Sequence, residues 1–149
     1  MVSRRHNRNV SLEAFIRDEP GPARIELADL VGGWVALAFL PPSLASSAEL
    51  LRFEELRAAF GEEDCLVLAS SIDSWFELRE TRVAFPVVAD TDGMLANAFG
   101  AIVDGEPCFG TVLLDPDGVV RFSDLGRGVS AERTLAALRE LRRQQAEAA

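Results

Sequence analysis

Two thiols, one imidazole and a cluster of hydroxyls are the side chains of this 149-residue chain that could act as nucleophiles or bases. They are Cys65 and Cys108, His6, and Ser43, Ser46 and Ser47. A serine hydroxyl attacks only with a partner base beside it. The one histidine lies in a polar N-terminal stretch, so Ser46 reads first as a helix cap, accepting from otherwise unpaired N–H groups. Ser43 and Ser47 read as caps or loop residues. Asp115 and Asp117 form a carboxylate pair, but turn chemistry in Asp115-Pro116-Asp117-Gly118 accounts for both. There is no metal-ligand spacing and no phosphate-binding loop, so neither a metal nor a cofactor is expected.

These residues need elements to position them, and the stretch from Trp34 to Leu50 is the organising one. Trp34 to Leu40 is an apolar run short enough for a strand buried on both faces. Pro41 and Pro42 end it, since neither can donate to a ladder. A serine-headed helix follows and runs to about Phe60, with Phe53, Leu56 and Phe60 as its buried stripe and Gly61 as its stop. The strand end and the helix start enclose a crevice into which unpaired N–H groups point. Glu49 stands one turn into that helix.

The rest of the chain supplies the frame. Val10 to Phe15 reads as an edge strand, paired as a hairpin with Ala23 to Leu27. Cys65 to Ser70 is a second buried strand. Ser71 to Ser74 is a turn leading into a helix through about Thr81. Val83 to Ala89 is a third strand interrupted by Pro86. Met94 to Phe99 is a short helix closed by Gly100. Gly110 to Leu114 and Val119 to Phe122 flank the Asp-Pro-Asp-Gly turn as a hairpin. Ser130 caps a last helix whose stripe is Leu135, Leu138 and Leu141, and the tail from Gln144 frays. Right-handed crossovers make the first core strands parallel, and the hairpin adds antiparallel strands on the far side. The fold class is α/β, a thioredoxin-like mixed sheet flanked by helices. Residues 1–9 are expected to be a flexible tail and 10–149 a single domain.

Composition narrows the partners. A net charge of −9 and a pI of about 4.6 argue against nucleic acid and against anionic membrane surfaces. All basic side chains are arginine. No apolar run approaches the ~20 residues of a membrane span, and no secretory signal is recognisable. Two cysteines without such a signal suggest a reducing cytoplasm and no structural disulfide.

Four segments carry a family resemblance. Leu27-Ala28-Asp29-Leu30-Val31-Gly32-Gly33 followed by Trp34 to Pro41 resembles the opening of peroxiredoxins of the alkyl hydroperoxide reductase/thiol-specific antioxidant type. Leu68 to Ser74, Phe85 to Gly93 with the helix through Gly100, and Gly110 to Arg121 resemble later segments of that family, in the same order. The similarity covers roughly residues 23 to 143. The resemblance implies a thioredoxin-like fold and thiol peroxidase chemistry, in which a cysteine at a helix N-terminus has a lowered pKa and its thiolate attacks the peroxide O–O bond. Here the family's cysteine falls on Ser46, its arginine falls on Phe109, and no threonine stands at its threonine position. No cysteine precedes Cys65.

The leading expectation is therefore a peroxiredoxin-like protein that has lost thiol peroxidase chemistry. It keeps a pocket for binding, or for another reaction on, a small molecule. The pocket residues are Pro41, Pro42, Ser43, Ser46, Ser47, Glu49, Trp75 and Phe109. Phe109 in place of arginine makes one wall apolar, so the small molecule is expected to be an acid with an apolar body. Cys65 lies at the opposite end of the sheet and reads as core packing. Cys108 precedes a strand antiparallel to the Trp34 strand, which puts it near the Ser46 pocket. A second reading is thus a thiol-dependent peroxidase or oxidoreductase with Cys108 as its catalytic residue. A third is a non-catalytic protein that self-associates, for instance as a homodimer.

Overall fold

Six consecutive apolar residues, Trp34 to Phe39, form the most buried strand of the protein. Such a run can be satisfied only where the sheet is covered on both sides. The computed structural model describes residues 11–15, 21, 23–26, 32–41, 48–73 and 83–148. The strands are β1 (Ser11–Phe15), β2 (Ala23–Glu26), β3 (Trp34–Phe39), β4 (Cys65–Ser71), β5 (Val87–Ala89), β6 (Ile102–Val103), β7 (Glu106–Pro107), β8 (Gly110–Leu114) and β9 (Val120–Ser123). The helices are α1 (Ala48–Glu62), α2 (Met94–Ala98) and α3 (Ala131–Ala148).

A seven-stranded sheet runs in the order β2-β1-β5-β4-β3-β8-β9, and β6 and β7 form a separate hairpin. β3, β4 and β5 are parallel, with Trp34 opposite Cys65 and Ala69 opposite Val87. β8 is antiparallel to β3, with Phe39 opposite Gly110, and β9 follows it across the predicted turn. Asp115 closes that turn, accepting from the N–H groups of Asp117 and Val119 at 2.9 and 3.0 Å.

The two faces of the sheet carry two apolar cores. On one, Trp34, Ala36, Ala38 and Leu40 pack with Leu50, Phe53 and Phe60 of α1 and with Ala131, Leu135 and Leu138 of α3. Phe53 and Phe60, two turns apart on α1, bring their rings to 5.7 Å. On the other, Val35, Leu37 and Phe39 pack with Leu95 and Ala96 of α2. Ser130 Oγ accepts from the Arg133 N–H at 3.1 Å, capping α3.

Several boundaries differ from the sequence expectations. β1 is not an edge strand, because it sits between β2 and β5. Gly61 does not stop α1; the helix runs through it, and Asp64 takes the left-handed turn with φ 58°. α3 does not fray from Gln144, since Arg143 pairs with Glu140 and Glu147 and carries the helix to Ala148. β5 is confined to Val87–Ala89, with Pro86 just outside it but still accepting from the Ala69 N–H at 3.1 Å. The β6-β7 hairpin is unanticipated, although its Asp104-Gly105 turn is a recognisable signal: both residues have positive φ. The tail at 1–9 and the helix expected from Ser74 to Thr81 lie outside the described residues. Among the described residues, no helix is long and apolar enough to cross a membrane.

Candidate functional site

The carboxyl ends of β3 and β4 meet the start of β8, and this junction is where the sheet opens. Leu40 N–H donates to Ser70 O at 2.9 Å and Asp90 N–H donates to Ser71 O at 2.7 Å, which holds the strand ends level. Cys108 is anchored by its own N–H, which donates to Ala101 O at 2.7 Å. Open α/β sheets characteristically bind ligands at such strand ends. The cleft there is lined by Phe39, Ser70, Ser71, Asp90, Cys108 and Phe109, among others. The part of it that these described residues enclose has a volume of about 20 Å³, room for roughly one water-sized group, so a larger ligand would extend beyond them.

Asp90 is buried in this cleft wall yet fully satisfied. Its two carboxylate oxygens accept from Leu95 and Ala96 N–H, each at 2.9 Å, and so cap α2 in place of Gly93, which has no side chain. This carboxylate is therefore a structural cap and not a base poised over Cys108. No cationic side chain is among the described residues lining the cleft.

An ion pair between a buried carboxylate and a half-exposed guanidinium fixes the other side of the junction. Asp124 Oδ1 accepts from the Thr111 N–H at 2.8 Å, and Oδ2 accepts from Arg133 Nε at 3.1 Å. Arg133 reaches further, to Gly128 O at 2.8 Å. The Asp124 loop thereby presses on β8 where Gly110 lies, and Gly126 N–H donates to Phe109 O at 2.8 Å. Thr111, on the same strand, has a buried hydroxyl with no hydrogen-bond partner among the described residues. No pattern in the sequence marks Asp124 or Arg133, because the pair exists only once α3 docks on the sheet.

Of the predicted site residues, Cys108 and Phe109 come together, both half-buried in the cleft. Pro41 follows Leu40 and is exposed. Glu49 is exposed on α1 and lines a different groove, shared with Arg52, Ser130 and Glu132. Pro42, Ser43, Ser46, Ser47 and Trp75 lie outside the described residues. Among the described residues, no group of three or more His, Cys, Asp and Glu side chains could hold a metal ion.

Cys65 sits at the opposite end of the sheet, paired in register with Trp34 and buried. Burial pushes its thiol from 9.0 up to about 12, with the Asp64 carboxylate adding to the shift and the Ala36 backbone and Arg142 opposing it. The unfolded chain would release this proton near pH 9, the folded chain only near 12. The neutral buried thiol thus stabilises the fold fully below pH 9. That stability drains away by about 1.4 kcal/mol per pH unit as pH rises between the two values. The chain has neither lysine nor tyrosine to titrate across this range. In urea unfolding between pH 8 and 10.5, Cys65→Ala is expected to remove most of the alkaline slope; a slope equal to the parent's would show that the thiol is not its source.

Residues 10–123 match the AhpC/TSA family. The chain is 34% identical over 129 residues to peroxiredoxin TSA1-B of Candida albicans, covering 74% of this chain and 66% of that protein. It is 29% identical over 129 residues to peroxiredoxin tpx1 of Schizosaccharomyces pombe, covering 74% and 67%. The chain thus spans about two thirds of the length of these relatives. The bacterioferritin comigratory protein of Xanthomonas campestris, a protein with alkyl peroxide reduction activity, superposes with a TM-score of 0.80 at 26% identity, over 93% of this chain and 95% of its own. With the parallel β3-β4-β5 core, the antiparallel β8-β9 hairpin and this match over most of its length, the chain belongs to the AhpC/TSA family and is a peroxiredoxin-family protein of thioredoxin-like fold.

Proposed function

We propose that this chain has lost the family's thiol peroxidase chemistry and keeps the junction at the carboxyl end of β3 as a binding or repurposed reaction site for a small molecule. The observation that carries this reading is the distribution of thiols. In the resembling family the reactive thiolate stands at the start of the helix after the first core strand. That helix is α1 here, and residues 1–64 contain no cysteine. Cys65 is buried at the far end of the sheet with its thiol held protonated. Phe109 makes the wall beside Cys108 apolar, so an acid with an apolar body, its charged end toward the N-terminus of α1, is the ligand class this reading favours. Two unbridged cysteines suit a reducing compartment, and the reading is of a cytoplasmic protein.

A second reading rests on Cys108, half-buried in the cleft at the strand ends. In it, Cys108 is the reactive thiol of an oxidoreductase. One assay separates the two. With excess dithiol reductant, hydrogen peroxide consumption by the protein is expected to be no faster than that of free cysteine at equal concentration, and Cys108→Ser is expected to change nothing. A rate well above free cysteine that Cys108→Ser abolishes would replace the first reading with the second. A fast rate surviving that substitution would overturn both.

A further inference from the structure

The other end of the sheet carries a groove that the reading above does not use. It lies between β9 and the last turns of α3 and is lined by Trp34, Arg121, Leu141, Gln144, Gln145 and Ala148. Its volume of about 460 Å³ falls within the range that holds small organic ligands. Trp34 and Phe39 are five residue steps apart, about 17 Å of strand, so this groove is well separated from the Cys108 cleft.

Two donors, the Arg121 guanidinium and the Gln145 amide, are exposed here, and the Trp34 indole N–H lies buried behind the groove. The Trp34 indole N–H is buried and has no acceptor among the described residues, an uncommon and costly state for a tryptophan, which normally finds one. Arg121 has a side chain 48% exposed, and its partner among the described residues is Asp115 at 3.4 Å, long for a hydrogen bond. Gln145 is exposed with no hydrogen-bond partner among the described residues, whereas Gln144 Nε2 donates to Glu140 at 3.1 Å. Leu141 and Ala148 add apolar surface between these groups. An arginine fork matches a carboxylate in both charge and shape.

We propose that this groove is a binding site for small monocarboxylic acids with a flat apolar body. The carboxylate would take the Arg121 fork and the Gln145 amide, and the body would lie on Leu141 and Ala148 against Trp34. Asp115 and Glu140 stand nearby, and the net charge of −9 repels anions at long range. The site is therefore expected to bind weakly.

The test uses benzoate as probe and the full chain labelled with nitrogen-15. The chain has two tryptophans, so its indole N–H signals are two, and Trp34→Phe assigns them. Benzoate is expected to shift the Trp34 indole signal saturably, and acetate, which lacks the apolar body, to do so more weakly. Arg121→Gln is expected to weaken benzoate binding about tenfold or more. Gln145→Glu, at an exposed position without partners among the described residues, keeps the fold and is expected to abolish binding by repulsion. An unshifted Trp34 signal at saturating benzoate in the parent protein would overturn the proposal. So would equal benzoate affinity in the parent and Gln145→Glu.

Discussion

Arg133→Ala is expected to destabilise the protein by about 2–3 kcal/mol, the cost of taking a charged donor away from a buried carboxylate. The Asp124 side chain is 1% exposed and lies 3.0 Å from Arg133 Nη2. Removing the guanidinium leaves that carboxylate with one described donor, the Thr111 N–H. It also releases the Gly128 carbonyl that the same side chain holds. The pair itself is not the source of the whole number, because taking the Asp124 carboxylate out of water offsets much of its attraction to the half-exposed guanidinium. The double variant Asp124→Asn with Arg133→Met should therefore lose less than the sum of the single variants. Urea unfolding at pH 7 measures all four corners of the cycle. Additive losses would show that the two side chains do not act as a unit.

Gly110→Ala is expected to cost about 3 kcal/mol, combining overpacking with backbone strain. A Cβ at this position would sit 2.7 Å from Asp124 O and 2.8 Å from Leu125 Cα. Both are backbone atoms, so no side chain can rotate away. The φ of 156° at Gly110 is also one that side chains rarely adopt. Strand β8 would have to move off the Asp124 loop and carry Cys108 and Phe109 with it. The variant is thus expected to expose the Cys108 thiol to Ellman's reagent faster than in the parent. Gly61→Ala is the matched control and should have the opposite sign. Gly61 lies inside α1, is exposed and has nothing within 4 Å of an added Cβ. There alanine should add about 0.5–1 kcal/mol by its better helix propensity. If Gly110→Ala were as stable as the parent, the junction would be far more compliant than its packing indicates.

Hydrophobic pattern and turn chemistry, both local, were enough to place most elements. The unbroken apolar run from Trp34 marked a strand covered on both faces, and the Asp-Pro-Asp-Gly turn marked the β8-β9 hairpin. The spacing of Phe53, Leu56 and Phe60 marked the inward face of α1. The same logic placed Cys108 beside the carboxyl end of β3, because an antiparallel neighbour must begin where that strand stops. Boundaries were less legible, since Gly61 is permissive in a helix as well as at its end, and the tertiary chain put the left-handed turn at Asp64. β1 looked like an edge because an alternating strand reads the same whether one or both of its sides are paired.

What only the tertiary structure decided were the contacts between distant residues. Asp90 reads as an ordinary loop carboxylate, and docking of α2 turns it into a buried cap. Asp124 and Arg133 are unremarkable nine residues apart in sequence, and become an ion pair because α3 lies across the loop after β9. Trp34 reads as one more core residue. Its indole, unpaired among the described residues, and the groove with Arg121 and Gln145 exist because the end of α3 passes over the start of β3. Periodicity reports which face of an element is buried. The neighbour that buries it, and the polar groups left over when it does, are properties of the assembled fold.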